Sequence, residues 1–166
     1  MRRWAWRLYA RFLARLGRAR GFFWLGLLAE SSGEDHHAIE LANQYYKRAA
    51  RAGHIDAMWH LAANRLAEKG GRRDPEEAVY WLHKAADGNH PMALWALAGL
   101  YLKGGGLVEA DTGRGVELLQ RSAQSGFGPA CLKLAECYHQ GRHGLPRDRD
   151  VAAQWVARAT SAPARR

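Results

Sequence analysis

A motif of small residues recurs four times at a nearly constant step, and this constrains the chain to fold as a stack of like units. The pattern A/G-x-x-W/Y/L-x-x-K/R-A/S-A/T begins at Ala42, Ala78, Gly115 and Ala152, so the steps are 36, 37 and 37 residues. A fixed period in this range marks a repeat solenoid, whose units cannot bury their apolar faces alone and must stack. Such stacks offer extended binding surfaces.

A second pattern precedes each copy. Leu25, Leu61, Leu97 and Leu134 each follow a small residue four places earlier: Gly21, Ala57, Ala93 and Ala130. The Leu stands 17 or 18 residues before the motif, so each unit reads as helix A, a Gly-containing loop and helix B. In unit two, helix A is expected over about 56–69. Gly70-Gly71 would close it, and Asp74-Pro75-Glu76-Glu77 would open helix B, with Asp as N-cap, Pro in the first turn and acids at the positive end of the dipole. Asp111 and Asp148 stand at the same place in units three and four; in unit one Asp35 is the expected cap. Ala42, Ala49 and Ala50 share one face of helix B, where a neighbouring helix can approach closely. Trp81 and Trp155 are expected to fill the core beside such faces.

The chain is 166 residues long and nearly half hydrophobic, which describes a folded domain. Its net charge of +9 lies at the ends. Residues 1–29 hold seven Arg and no acid, whereas residues 30–141 are close to neutral. A near-neutral body argues against a nucleic-acid groove. No apolar run reaches the ~20 residues of a membrane span. Cys131 and Cys137, six apart on one expected helix, read as core filling. Residues 1–20 form a basic amphipathic segment, with Arg3, Arg7, Arg11 and Arg15 four apart. It is in register as a degenerate helix B and reads as a capping helix. The alternatives are a membrane-surface or acidic-partner helix and a targeting peptide. Residues 161–166 read as a flexible tail.

With both patterns joined, the unit resembles the Sel1-like repeat, a relative of the tetratricopeptide repeat. Good copies are Ala57…Leu61-Ala62…Gly70…Asp74…Ala78…Trp81…Lys84-Ala85-Ala86 and Ala93…Leu97-Ala98…Tyr101…Gly104. The resemblance spans about 21–160, with repeats at about 21–56, 57–92, 93–129 and 130–160. Unit one departs at Ala29 and unit two at Arg65, where Tyr is expected, and Asn89 holds the closing Gly position of unit two. The resemblance implies an all-α fold: a right-handed α/α superhelix of about four helix–turn–helix repeats plus an N-terminal cap. It also implies a non-enzymatic adaptor with a protein or peptide partner in the groove lined by the A helices. Some Cys-rich relatives act on β-lactams, but they carry a Cys pair in each repeat, which this chain lacks.

By the tetratricopeptide analogy, groove positions fall at Phe23, Trp59, Ala63, Trp95, Gly99, Lys103 and Glu136. Trp59 and Trp95 would be the walls and Ala63 and Gly99 the floor. No catalytic or metal set is read. His139 and His143 are four apart, but Gly141 should end the helix between them, and the acids Glu76 and Glu77 read as dipole partners alone. No cofactor is expected, and the expected location is cytoplasmic, with membrane association through residues 1–20 as the alternative.

Overall fold

In a computed structural model, the structure describes residues 8, 12, 18–32, 36–67, 69, 73–104 and 106–161. Every regular element among them is an α-helix. In chain order these are α1 (Ala19–Glu30), α2 (His36–Arg51), α3 (Ile55–Leu66), α4 (Pro75–Asp87), α5 (Pro91–Lys103), α6 (Thr112–Gln124), α7 (Gly128–Gln140) and α8 (Arg149–Ser161). The chain divides into two compact units, Met1–Ala85 and Ala86–Arg166. In the first, α1 packs on α2 and α2 on α3; in the second, α5 packs on α6, α6 on α7 and α7 on α8. Arg3, Arg7, Arg11 and Arg15, the proposed cap Asp35, Gly70-Gly71 and the tail beyond Ser161 lie outside the described residues.

Five helix starts follow two rules, of which the sequence disclosed one; α1 and α7 begin after Arg18 and Phe127 without a side-chain cap. The side chains of Asp74, Asp111 and Asp148 each accept a hydrogen bond at 2.9 Å from the backbone N–H three residues on. That satisfies one of the open donors of the first turn. The A helices α3 and α5 are instead capped by histidine. Nδ1 of His54 accepts from the Ala57 N–H at 3.4 Å, and Nδ1 of His90 from the Ala93 N–H at 3.3 Å. Between units the backbone turns left-handed at Gly53, Asn89 and Gly126, with φ of 87°, 58° and 81°. Asn tolerates this region, which explains how Asn89 holds a glycine's position. The motif's basic residue has a role here too. Arg121 Nη2 donates to the Ala86 carbonyl at the end of α4 and to Asn89 Oδ1, and Arg158 Nη2 donates to the Gln124 carbonyl at the end of α6. Each closes an open carbonyl end left by an earlier B helix.

A histidine cap must be neutral at Nδ1 to accept. Burial, the largest influence, pushes His54 below its ordinary value of 6.5; Arg20 and His60 act the same way, and Asp56 opposes them. Because the folded-state value is depressed, the cap contributes stability above pH ~6.5, and that stability is lost as pH falls through the folded-state value. His60 is depressed by burial as well, against Glu30 and Asp56. The urea midpoint of the first unit should therefore fall on acidification from neutral pH. His54→Asn, a cap that does not titrate, should flatten part of that fall. A pH profile unchanged by His54→Asn would remove the cap from the explanation.

The small-residue faces are buried in the first three copies, at Ala42, Ala49, Ala50, Ala78, Ala85, Ala86, Gly115, Ser122 and Ala123; in the fourth Ala152 is buried, Ala159 half-buried and Thr160 exposed. Two glycines carry the closest approaches. A Cβ on Gly26 would overlap the Tyr46 ring, and one on Gly115 would lie 2.7 Å from Leu102 Cγ and 3.2 Å from its backbone nitrogen. Trp81 is 7% exposed, with its indole N–H donating to Glu77 at 3.3 Å. Trp155 departs from the expected core role and is half-exposed. It sits on α8, where the Arg158 guanidinium lies 5.4 Å from the centre of its ring.

α3 ends at Leu66, short of the expected Lys69, because the segment beyond it is pinned differently. Asn64 Nδ2 donates to Asn43 Oδ1 at 2.9 Å, and Asn43 Nδ2 donates to the Lys69 carbonyl at 3.1 Å. Both Asn side chains are buried. One repeat later the same two places hold Val79 and Leu100. Asn64→Leu alone should therefore cost about 1–3 kcal/mol by stranding the Asn43 amide. Asn43→Val added to it should recover most of that loss, because two apolar partners leave nothing unsatisfied. Strictly additive denaturant midpoints across this double-mutant cycle would refute the coupling.

Glu77 corrects a further expectation, since it does more than complement a dipole. It pairs with Lys47 of α2 at 2.6 Å and with Arg65 of α3 at 3.1 Å, so three helices meet on one carboxylate. Burial pushes its carboxyl up, but hydrogen bonds from Lys47 and Trp81 and the charges of Lys47 and Arg65 outweigh burial and hold it below the ordinary range. Arg65 also reaches Glu40 at 3.6 Å. Arg65 and Glu77 correspond to Tyr101 and Arg114 one repeat later, and there the Arg114 guanidinium lies 4.7 Å over the Tyr101 ring. The departure at Arg65 is thus half of an exchanged pair: ion pair in one repeat, cation–π contact in the next.

Candidate functional site

The expected groove residues divide between the units. Phe23, Trp59 and Ala63 belong to the first; Trp95, Gly99, Lys103 and Glu136 belong to the second. Phe23 is half-buried in a ring cluster, stacked on His54 at 4.3 Å and near His60 at 5.7 Å and Tyr46 at 6.0 Å. It joins α1 to α2 and α3. Trp59 and Ala63 are half-buried on α3.

In the second unit, Trp95, Gly99 and Lys103 lie four apart on α5 and line one cleft of about 490 Å³. That volume is within the range of small-ligand and side-chain pockets. Leu102 and Leu119 add apolar wall, and Lys133 of α7 and His143 of the following loop close the far side. Trp95 is 42% exposed and meets the Phe127 ring edge-on at 5.9 Å, so the indole is held on one side and still accessible. A Cβ on Gly99 would meet nothing within 4 Å, so the space above it is free.

The polar rim is mostly cationic. Lys103 is exposed and has no ion-pair partner among the described residues. Glu136 pairs with Lys133 at 2.8 Å and with Arg142 at 3.8 Å. Its carboxyl is held below the ordinary range chiefly by the Lys133 hydrogen bond, against some burial, with help from the charges of Lys133, Arg142 and His143. Sequence reasoning missed Lys133 and weighed His143 only as a metal ligand with His139. His143 sits at φ 56° after the left-handed C-cap Gly141, so the backbone turns it back over the cleft. A helical face read along α5 alone has no signal for residues on α7.

No group of three or more His, Cys, Asp and Glu side chains among the described residues is arranged to hold a metal ion. Cys131 and Cys137 are free and fully buried, and burial pushes both thiols up. The Cys131 thiol donates weakly to the Ala123 carbonyl. No described helix is long and apolar enough to cross a membrane.

Helix pairs in register, a small-residue seam and an open face on an A helix define an α-solenoid of the tetratricopeptide-like class. The Sel1 repeat pattern matches residues 35–54, 55–90, 91–127 and 128–162, and the chain belongs to the Sel1 repeat family. The fold agrees with the crystal structure of a Sel1 repeat protein from Oxalobacter formigenes, at a TM-score of 0.78 and 24% identity, over 89% of this chain and 60% of that one. It also agrees with a protective antigen of uropathogenic Escherichia coli strains that displays an SLR fold, at a TM-score of 0.81 and 25% identity, over 95% of this chain and 33% of that one. Among curated proteins the chain is similar to two from Schizosaccharomyces pombe. It is 30% identical to chitin synthase regulatory factor 2 over 83% of its length, and 32% identical to chitin synthase regulatory factor 3 over 69%. It spans 28% and 13% of those relatives' lengths.

Proposed function

We propose that this chain is a non-catalytic interaction module, a cytoplasmic adaptor that holds a protein or peptide segment against the open face of its A helices. The observation that carries the reading is the cleft along α5, where an exposed tryptophan, an uncrowded glycine and a lysine with no ion-pair partner among the described residues converge. Aromatic side chains in partly enclosed pockets dominate binding energy at protein interfaces. The relatives' description as regulatory factors supports a role in bringing a regulator to an enzyme or in restraining one.

The test is affinity capture from native lysate with the wild-type chain and with Trp95→Ala, after circular dichroism shows that both fold. A partner retained by the wild type and lost by the variant is expected. Identical capture by both would move function away from this cleft. Trp59→Ala, run in parallel, asks the same of the first unit.

A further inference from the structure

We infer that the α5 cleft takes an acidic peptide segment, with one apolar side chain seated over Gly99 between Trp95 and Leu102 and flanking carboxylates on Lys103 and Lys133; this rests on the interaction-module reading above.

Three observations carry it. The first is charge. The lining side chains include Lys103, Lys133 and His143 and no carboxylate; Lys133 shares the neighbouring Glu136 with Arg142, so one carboxylate there faces two cations and Lys103 adds a third. The rim therefore presents net positive charge, and Lys103 is held by no acid of the described chain. Charge complementarity of this kind selects acidic partners and speeds encounter. The second is Gly99 itself. Glycine inside a helix is unfavourable relative to alanine, and here no neighbour demands it, since an added Cβ would meet open space. This contrasts with Gly26 and Gly115, where a packed neighbour excludes any side chain. What Gly99 keeps clear is the floor of the cleft. The third is the apolar wall of Trp95, Leu100, Leu102 and Leu119, which fits a hydrophobic side chain better than a fully polar ligand.

The experiment selects binders from a displayed random-peptide library on the full chain and measures the selected peptides by fluorescence anisotropy. The expected peptides carry Asp or Glu on both sides of a Leu, Ile, Phe or Trp, and bind more weakly as salt rises. Gly99→Leu, which fills the cleft from an open helical position, should weaken them by about tenfold or more. Lys103→Glu should weaken them and, in a repeat selection, shift the preference towards Lys- or Arg-containing peptides. Cleft binders that lack acidic residues, or whose affinity ignores both salt and Lys103→Glu, overturn the acidic assignment and leave the interaction-module reading standing. Peptides unaffected by Gly99→Leu, or an empty selection, overturn both.

Discussion

Tyr46→Ala should destabilise the first unit by about 3–5 kcal/mol, the range for removing a large aromatic from a packed core. Tyr46 is fully buried and occupies the space that Gly26 leaves open on α1. Its ring stacks on His60 at 5.0 Å, and its hydroxyl donates to Glu30 Oε2. Burial first, then the hydrogen bond to Glu30 and its charge, push that hydroxyl far above the ordinary tyrosine value, so it stays protonated and donating. Tyr46→Phe isolates this contact and should cost less, about 1.5–3 kcal/mol for a hydrogen bond to a charged group. Urea unfolding gives the magnitude, and hydrogen exchange gives the place: amides of α1 and α2 should lose protection first. An unchanged urea midpoint for Tyr46→Ala would show that the α1–α2 seam does not depend on this ring.

Glu77→Arg is expected to have an effect of similar size, about 3–5 kcal/mol, because it breaks a partly buried pair and gathers a third cation beside Lys47 and Arg65. The informative variant is the double substitution Arg65→Tyr/Glu77→Arg, which copies the Tyr101–Arg114 pair of the next repeat. It should recover at least half of the loss, with Lys47 accounting for the remainder. A double variant no more stable than Glu77→Arg alone would mean that the two repeats do not share an exchangeable pair.

Much of the fold was legible because its determinants are local. Asp74, Asp111 and Asp148 cap helices within three residues of themselves, and Asn89 reads as a left-handed turn from its place in the period. The small-residue faces are legible for the same reason, since period and burial coincide. The histidine caps were not. A histidine accepts at an N-cap only as one tautomer, and no spacing rule distinguishes His54 and His90 from solvated histidines. Glu77 was underread because its partners lie 12 and 30 residues away and meet it only once three helices have stacked. Trp155 was overread because the repeat pattern gives the same position in every copy the same burial, whereas Trp81 is buried and Trp155 half-exposed. In the candidate site, the spacing of Trp95, Gly99 and Lys103 placed them on one face of α5. Lys133 and His143 reach that face from another helix and a left-handed loop, which a reading along a single helix does not contain.

The two buried thiols of α7 give the second unit a chemical clock. Cys131 is 0% and Cys137 1% exposed, neither is bonded to the other, and both are held protonated by burial. An aqueous thiol reagent can reach them only when α7 lifts from its neighbours. The rate of labelling in the unaltered chain therefore reports how often that helix opens, and a peptide bound against Lys133 on the same helix should slow it in proportion to occupancy.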